Sequence, residues 1–133
     1  WAMQYLMDKG VIDASMQTSM YMTYLASAFR SVRFGINEAH GKGIALQFNY
    51  LMDEGAIQAD EKTGKFEIVA AKIRPAVTKL TGELLTLEAE GSYAKADALL
   101  KKYAVIRPVM EKALNKLGAI PVDIDPRYPL AGE

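Results

Sequence analysis

A chain of 133 residues is long enough to bury one hydrophobic core, and half of its residues are hydrophobic while about a quarter are charged, a globular composition. Sixteen basic residues balance sixteen acidic ones, which argues against nucleic acid as a partner, because that binding needs a basic surface to displace counterions. Cysteine is absent, which excludes disulfides and thiolate metal sites and suits a cytoplasmic protein.

Taken in chain order, the sequence opens inside a helical pattern, Trp1-Ala2-Met3-Gln4-Tyr5-Leu6-Met7, with no capping residue before it, as expected of a segment that continues a longer chain. Gly10 closes this first helix and Asp13 is the N-cap of a second. Met22, Leu25, Phe29 and Val32 line the second helix, with Tyr21, Tyr24 and Ala28 on neighbouring faces, so it reads as the central one. The uncharged run from Ala14 to Phe29 is broken by Ser15, Gln17, Thr18, Ser19, Thr23 and Ser27, and a membrane span needs ~18–20 mostly apolar residues. No membrane association is expected. A third helix, from about Asn37 to Glu54, carries Ile44, Phe48, Leu51 and Met52 as its apolar stripe.

The period then changes to two. Residues 56–59 and 65–69 alternate around Asp60-Glu61-Lys62-Thr63-Gly64 and read as a hairpin, which must lean on helices because two strands alone are marginal. Pro75 is placed to open a fourth helix lined by Val77, Leu80, Leu84 and Leu87 and ended by Gly91. Ser92 caps a fifth, with Ala96, Leu99, Leu100 and Tyr103 inward. Pro108 begins a sixth, with Val109, Leu114 and Leu117 inward. The tail from Ala119, with Pro121, Pro126 and Pro129 among Ile120, Val122 and Ile124, reads as extended. The expected fold class is all-α: residues 1–133 form one irregular bundle of about six helices with one small β-hairpin.

Several residues could carry chemistry, each beside a structural reading. His40, the only histidine, sits in Glu38-Ala39-His40-Gly41-Lys42-Gly43 at a helix start; a lone histidine is more often structural, and a catalytic zinc needs about three protein ligands, which this chain does not supply in any recognisable pattern. Gly41 and Gly43 could expose backbone N–H groups to an anion, or simply admit another backbone, which is the favoured account. Arg30 and Arg33 could complement the C-terminal dipole of their helix or grip a carboxylate. The pairs Asp53-Glu54 and Glu88/Glu90 flank helix stops and read as solvated charges, Asp123/Asp125 lies in the tail, and the seven methionines read as core filler.

The strings Phe29-Arg30-Ser31-Val32-Arg33-Phe34-Gly35, Glu38-Ala39-His40-Gly41-Lys42-Gly43, Leu51-Met52-Asp53-Glu54-Gly55, Lys72-Ile73-Arg74 and Ala98-Leu99-Leu100-Lys101-Lys102-Tyr103-Ala104 resemble the C-terminal part of the dipeptidyl peptidase III family of zinc peptidases. The resemblance is best to bacterial and plant relatives in which such a region can follow a Nudix (MutT) domain. It implies a zinc hydrolase whose metal ligands, an H-E-x-x-G-H helix and a later glutamate, lie upstream of Trp1, so no cofactor is expected within these residues and zinc is expected in the parent chain. It implies that His40, matching a histidine of an Ala-His pair, stabilises an oxyanion or orients substrate, with Arg30 and Arg33 on the substrate side. The glycines after His40 replace the bulky residues usual there, which leaves the substrate class open. The expected partners are upstream domains of the same chain, with a homodimer through the exposed face of the first helix as a further expectation. The alternative is a non-catalytic dimerisation or partner-binding module appended to a Nudix hydrolase.

Overall fold

The computed structural model describes residues 1–121. Among them lie six helices, α1 (Ala2–Asp8), α2 (Gln17–Val32), α3 (Ala39–Asp53), α4 (Ala70–Glu90), α5 (Tyr93–Tyr103) and α6 (Pro108–Lys116), and two strands, β1 (Ile57–Ala59) and β2 (Phe66–Ile68). The fold is mainly helical, with one two-stranded antiparallel sheet. Val122, Ile124, Pro126, Pro129 and the Asp123/Asp125 pair lie outside the described residues. No described helix is long and apolar enough to cross a membrane.

The central helix is α3, not α2. Gly41, Ala45, Leu46, Phe48, Asn49, Tyr50 and Leu51 are all buried, covering nearly the whole circumference of the helix, with α2 on one side and α4 and α5 on the other. On α2 only Tyr21, Leu25, Ala28 and Val32 are buried, and Met22, expected inward, is exposed. The apolar surround of α2 therefore reflects composition and not burial. Leu25 and Val32 are buried as expected and Phe29 packs half-buried on the core, while Tyr21 and Ala28 join them, and the small Ala28 allows close packing there.

The hairpin pairs Ile57 with Ile68, Gln58 with Glu67 and Ala59 with Phe66. Asp60 builds its turn: its carboxylate accepts from the backbone N–H groups of Lys62 and Thr63 and from the Thr63 hydroxyl, and Gly64 takes the left-handed φ of +67°. The hairpin leans on helices as its size requires. Phe66 meets Phe29 and Phe48 edge-on, with ring centroids 4.9–5.6 Å apart, and Lys112 and Lys116 of α6 donate to carbonyls of the turn.

Helix α4 begins at Ala70, five residues before Pro75, which therefore lies inside the helix. Proline removes the N–H that would bond the carbonyl of Ala71, an unfavourable position in isolation. Ile73, in that extra first turn, is fully buried in the core, and its burial offsets the lost bond. Gly91 closes α4 at φ +60° and Ser92 caps α5 through the N–H of Lys95, as the sequence suggests. On α5 Tyr103 is buried but Leu100 is exposed; on α6 Met110 takes the fully buried place, with Leu114 beside it. Helix α1 is held by the buried Gln4, whose amide donates to the Tyr21 hydroxyl, and by the Asp8–Arg74 ion pair, while Trp1, Met3 and Tyr5 remain largely exposed.

Candidate functional site

Arg30, Arg33 and His40 lie on the elements that flank the turn between α2 and α3. Arg33 caps the C-terminus of α2, and Gly35, at φ +96°, turns the chain while its N–H bonds the Val32 carbonyl at 2.9 Å. Residues 36–38 then return the chain to Ala39, with Glu38 extended at the N-cap and accepting from Lys42 N–H at 3.0 Å. The return is close. A Cβ placed on Gly41 would stand 1.9 Å from the Gly35 carbonyl oxygen, whereas one on Gly43 would meet nothing within 4 Å. Admission of another backbone thus accounts for Gly41 but not for Gly43.

His40 lies in the first turn of α3 and is exposed. No hydrogen bond within the described residues engages its ring, and the glutamate before it makes no side-chain cap. Arg30, in the last turn of α2, is exposed with its guanidinium 5.8 Å from the ring centroid of Phe34. Arg33 is half-buried, and one of its amino groups donates to the carbonyl oxygens of Leu117, at 3.1 Å, and of Ile120. The structure therefore brings the ends of α2 and α3 together and leaves His40 and Arg30 facing outward, while Arg33 ties this corner to the end of α6. No hydrogen bond joins the three side chains to one another.

A second concentration of charge lines a groove of about 820 Å³ among α3, α4 and α5. Its acids are already partnered: Glu54 with Lys79 at 2.7 Å, Glu90 with Lys95 at 2.6 Å, and Glu83 accepting from the Tyr50 hydroxyl at 2.7 Å. Burial, and then the bond to Glu83, push the Tyr50 hydroxyl well above the usual phenol range. Asp53 is likewise paired and not simply solvated. Its carboxylate takes two bonds from Arg107, at 2.5 and 3.1 Å, and that contact holds its carboxyl below the usual range. Among the described residues no three His, Cys, Asp or Glu side chains converge to hold a metal ion.

The most telling polar residue went unread in the sequence. Asn49, fully buried on α3, donates from its amide nitrogen to the carbonyls of Tyr103 and Val105, both at 2.8 Å, and so fixes the turn between α5 and α6. Its only signal was its place, next to Phe48 in an otherwise apolar stripe.

No family model matches the chain. Nudix hydrolase 3 of Arabidopsis thaliana is 47% identical over 133 residues, covering 98% of this chain and 17% of that protein. The solved structure of dipeptidyl-peptidase III from Corallococcus sp. strain EGB is 54% identical, with a TM-score of 0.89, and that of DPP III from Caldithrix abyssi is 39% identical, with a TM-score of 0.91. The matches cover 96% and 95% of this chain but 24% of each of those chains. In sequence and in fold, the chain thus corresponds to one part of a dipeptidyl-peptidase III-like protein, a part that Nudix hydrolase 3 also resembles.

Proposed function

We propose that the chain is the C-terminal helical part of a zinc-dependent hydrolase of dipeptidyl-peptidase III type, supplying substrate-side residues to a cleft whose metal ligands belong to another part of a longer chain. The observation that carries this reading is the placement of His40. It is exposed on the first turn of α3, unengaged by the described residues, where the positive end of the helix favours developing negative charge. A core histidine would be buried and bonded; this one faces outward. His40 stabilises the oxyanion or orients the scissile group, and Arg30, beside the same corner, offers a guanidinium to a substrate carboxylate. Arg33 contributes on the substrate side through the donors it does not spend on Leu117 and Ile120.

The test is His40→Ala in the longest natural chain that carries these residues. The expected result is a fall in kcat of about 10²–10³, the usual effect of losing one oxyanion donor, with metal content unchanged. Full turnover in that variant refutes the reading.

A second reading rests on the likeness to Nudix hydrolase 3 and on the exposed Trp1, Met3 and Tyr5. In it the chain is a non-catalytic module following a Nudix domain, and it pairs with neighbouring domains or with a second copy through this apolar face. Serine at Trp1 and Tyr5 would then lower the association state on sedimentation while leaving turnover intact.

A further inference from the structure

We infer that Gly41 is a positioning residue for His40: its missing side chain lets the first turn of α3 lie directly on the Gly35 carbonyl, and that contact sets where the imidazole stands. The inference rests on the role proposed above for His40.

The geometry is tight on both sides. A Cβ at position 41 would sit 1.9 Å from the Gly35 oxygen and 3.0 Å from its carbonyl carbon, so an alanine there demands a displacement of at least about 1 Å. The Gly35 side cannot yield easily. Its φ of +96° and the bond from its N–H to Val32 fix where its carbonyl carbon stands, Val32 is 2% exposed, and Arg33 fastens the same stretch to Leu117 and Ile120. The body of α3 cannot yield either, because Ala45 and Phe48 are fully buried. The part free to move is the first turn, whose Ala39, His40 and Lys42 are exposed. Gly43 supplies the contrast: two residues further on, the space around it is open.

The consequence is selective. Gly41→Ala moves the imidazole but keeps the core, and a displacement of about 1 Å at a reacting group lowers turnover by about 10²-fold. Gly43→Ala does neither.

Two measurements test this. In the 133-residue chain His40 is the only histidine, so its ring signals are unambiguous in an NMR spectrum of histidine-labelled protein. The expected result for Gly41→Ala is a shifted ring signal with unchanged amide-exchange protection at Phe48 and Leu51, and for Gly43→Ala an unshifted one. In the unmutated chain, a strong Overhauser contact between the α protons of Gly41 and Ile36 is expected, since Ile36 Cα is only 3.5 Å from the vacant Cβ position. In the longest natural chain, Gly41→Ala is expected to lower kcat about 10²-fold with KM nearly unchanged.

An unshifted His40 ring in Gly41→Ala, absence of the Gly41–Ile36 contact, or global unfolding of that variant overturns the inference. Unfolding counts against it because the contact would then serve the fold and not the imidazole. If His40→Ala retains turnover, the functional reading falls, and the ring signals still decide the positioning claim.

Discussion

The guanidinium of Arg33, at the end of α2, donates to the carbonyl oxygen of Leu117, at the end of α6, across 3.1 Å. Leu117 is the C-cap of α6, and the last carbonyls of a helix have no partner within it. Arg33 supplies one, and with its second bond to Ile120 it joins two elements that are distant in sequence.

Replacing Arg33 by alanine is expected to cost about 1–2 kcal/mol, the range for a charge-assisted bond that is only half-buried. The loss should be local. Amide exchange in α6 should accelerate more than in α3, and equal acceleration in both would show that the bond does not act on α6 in particular. Arg30→Ala, by contrast, should leave stability nearly unchanged and raise KM for an anionic substrate, because Arg30 is exposed and makes no such bond.

Asn49→Ala should destabilise the chain by about 2–3 kcal/mol, since it strips a donor from two carbonyls and leaves a buried gap. Asn49→Asp should be worse, because an ionised carboxylate would face two carbonyl oxygens with nothing to donate. Chemical denaturation ranks the two variants, and an aspartate chain more stable than the alanine one would contradict this account.

Stability should fall as the Asp53–Arg107 pair is titrated. The carboxyl of Asp53 is lowered in the folded chain by its bonds to Arg107, so the pair contributes fully above the unfolded-state pKa of about 4 and is lost as pH falls through the lower folded value. Both side chains are partly exposed, so the contribution is at most about 1 kcal/mol. Asp53→Asn should therefore be less stable than the natural chain at neutral pH and indistinguishable from it well below the folded pKa. A difference that persists in strong acid would point to another cause.

Pro75→Ala should stabilise the chain by about 1–2 kcal/mol. The alanine restores the N–H for the Ala71 carbonyl and favours the helix, against a loss of about 0.4–1 kcal/mol of unfolded-state restriction. Pro75 is exposed, so no packing is lost. A lower midpoint on thermal melting would show that the proline itself is needed.

The sequence alone determined the elements and their stops. Gly10, Gly91 and Ser92 act through φ and hydrogen bonds that span only a few residues, so their roles are legible locally, whereas Asp13 caps the short 3-10 turn Ala14–Met16 before α2 and not α2 itself. The hairpin is legible for the same reason, with Asp60 and Gly64 making its turn. The place of His40 at the start of α3 also follows from local pattern. What lay beyond the sequence was everything set by contact between elements. Only burial of Ile73 explains why α4 starts before Pro75 rather than at it, and only the neighbours of α3 make it, and not α2, the central helix. Gly41 and Gly43 are indistinguishable in sequence. The backbone of Gly35 presses on one and leaves the other open, because the turn between α2 and α3 folds back over a single face of the helix.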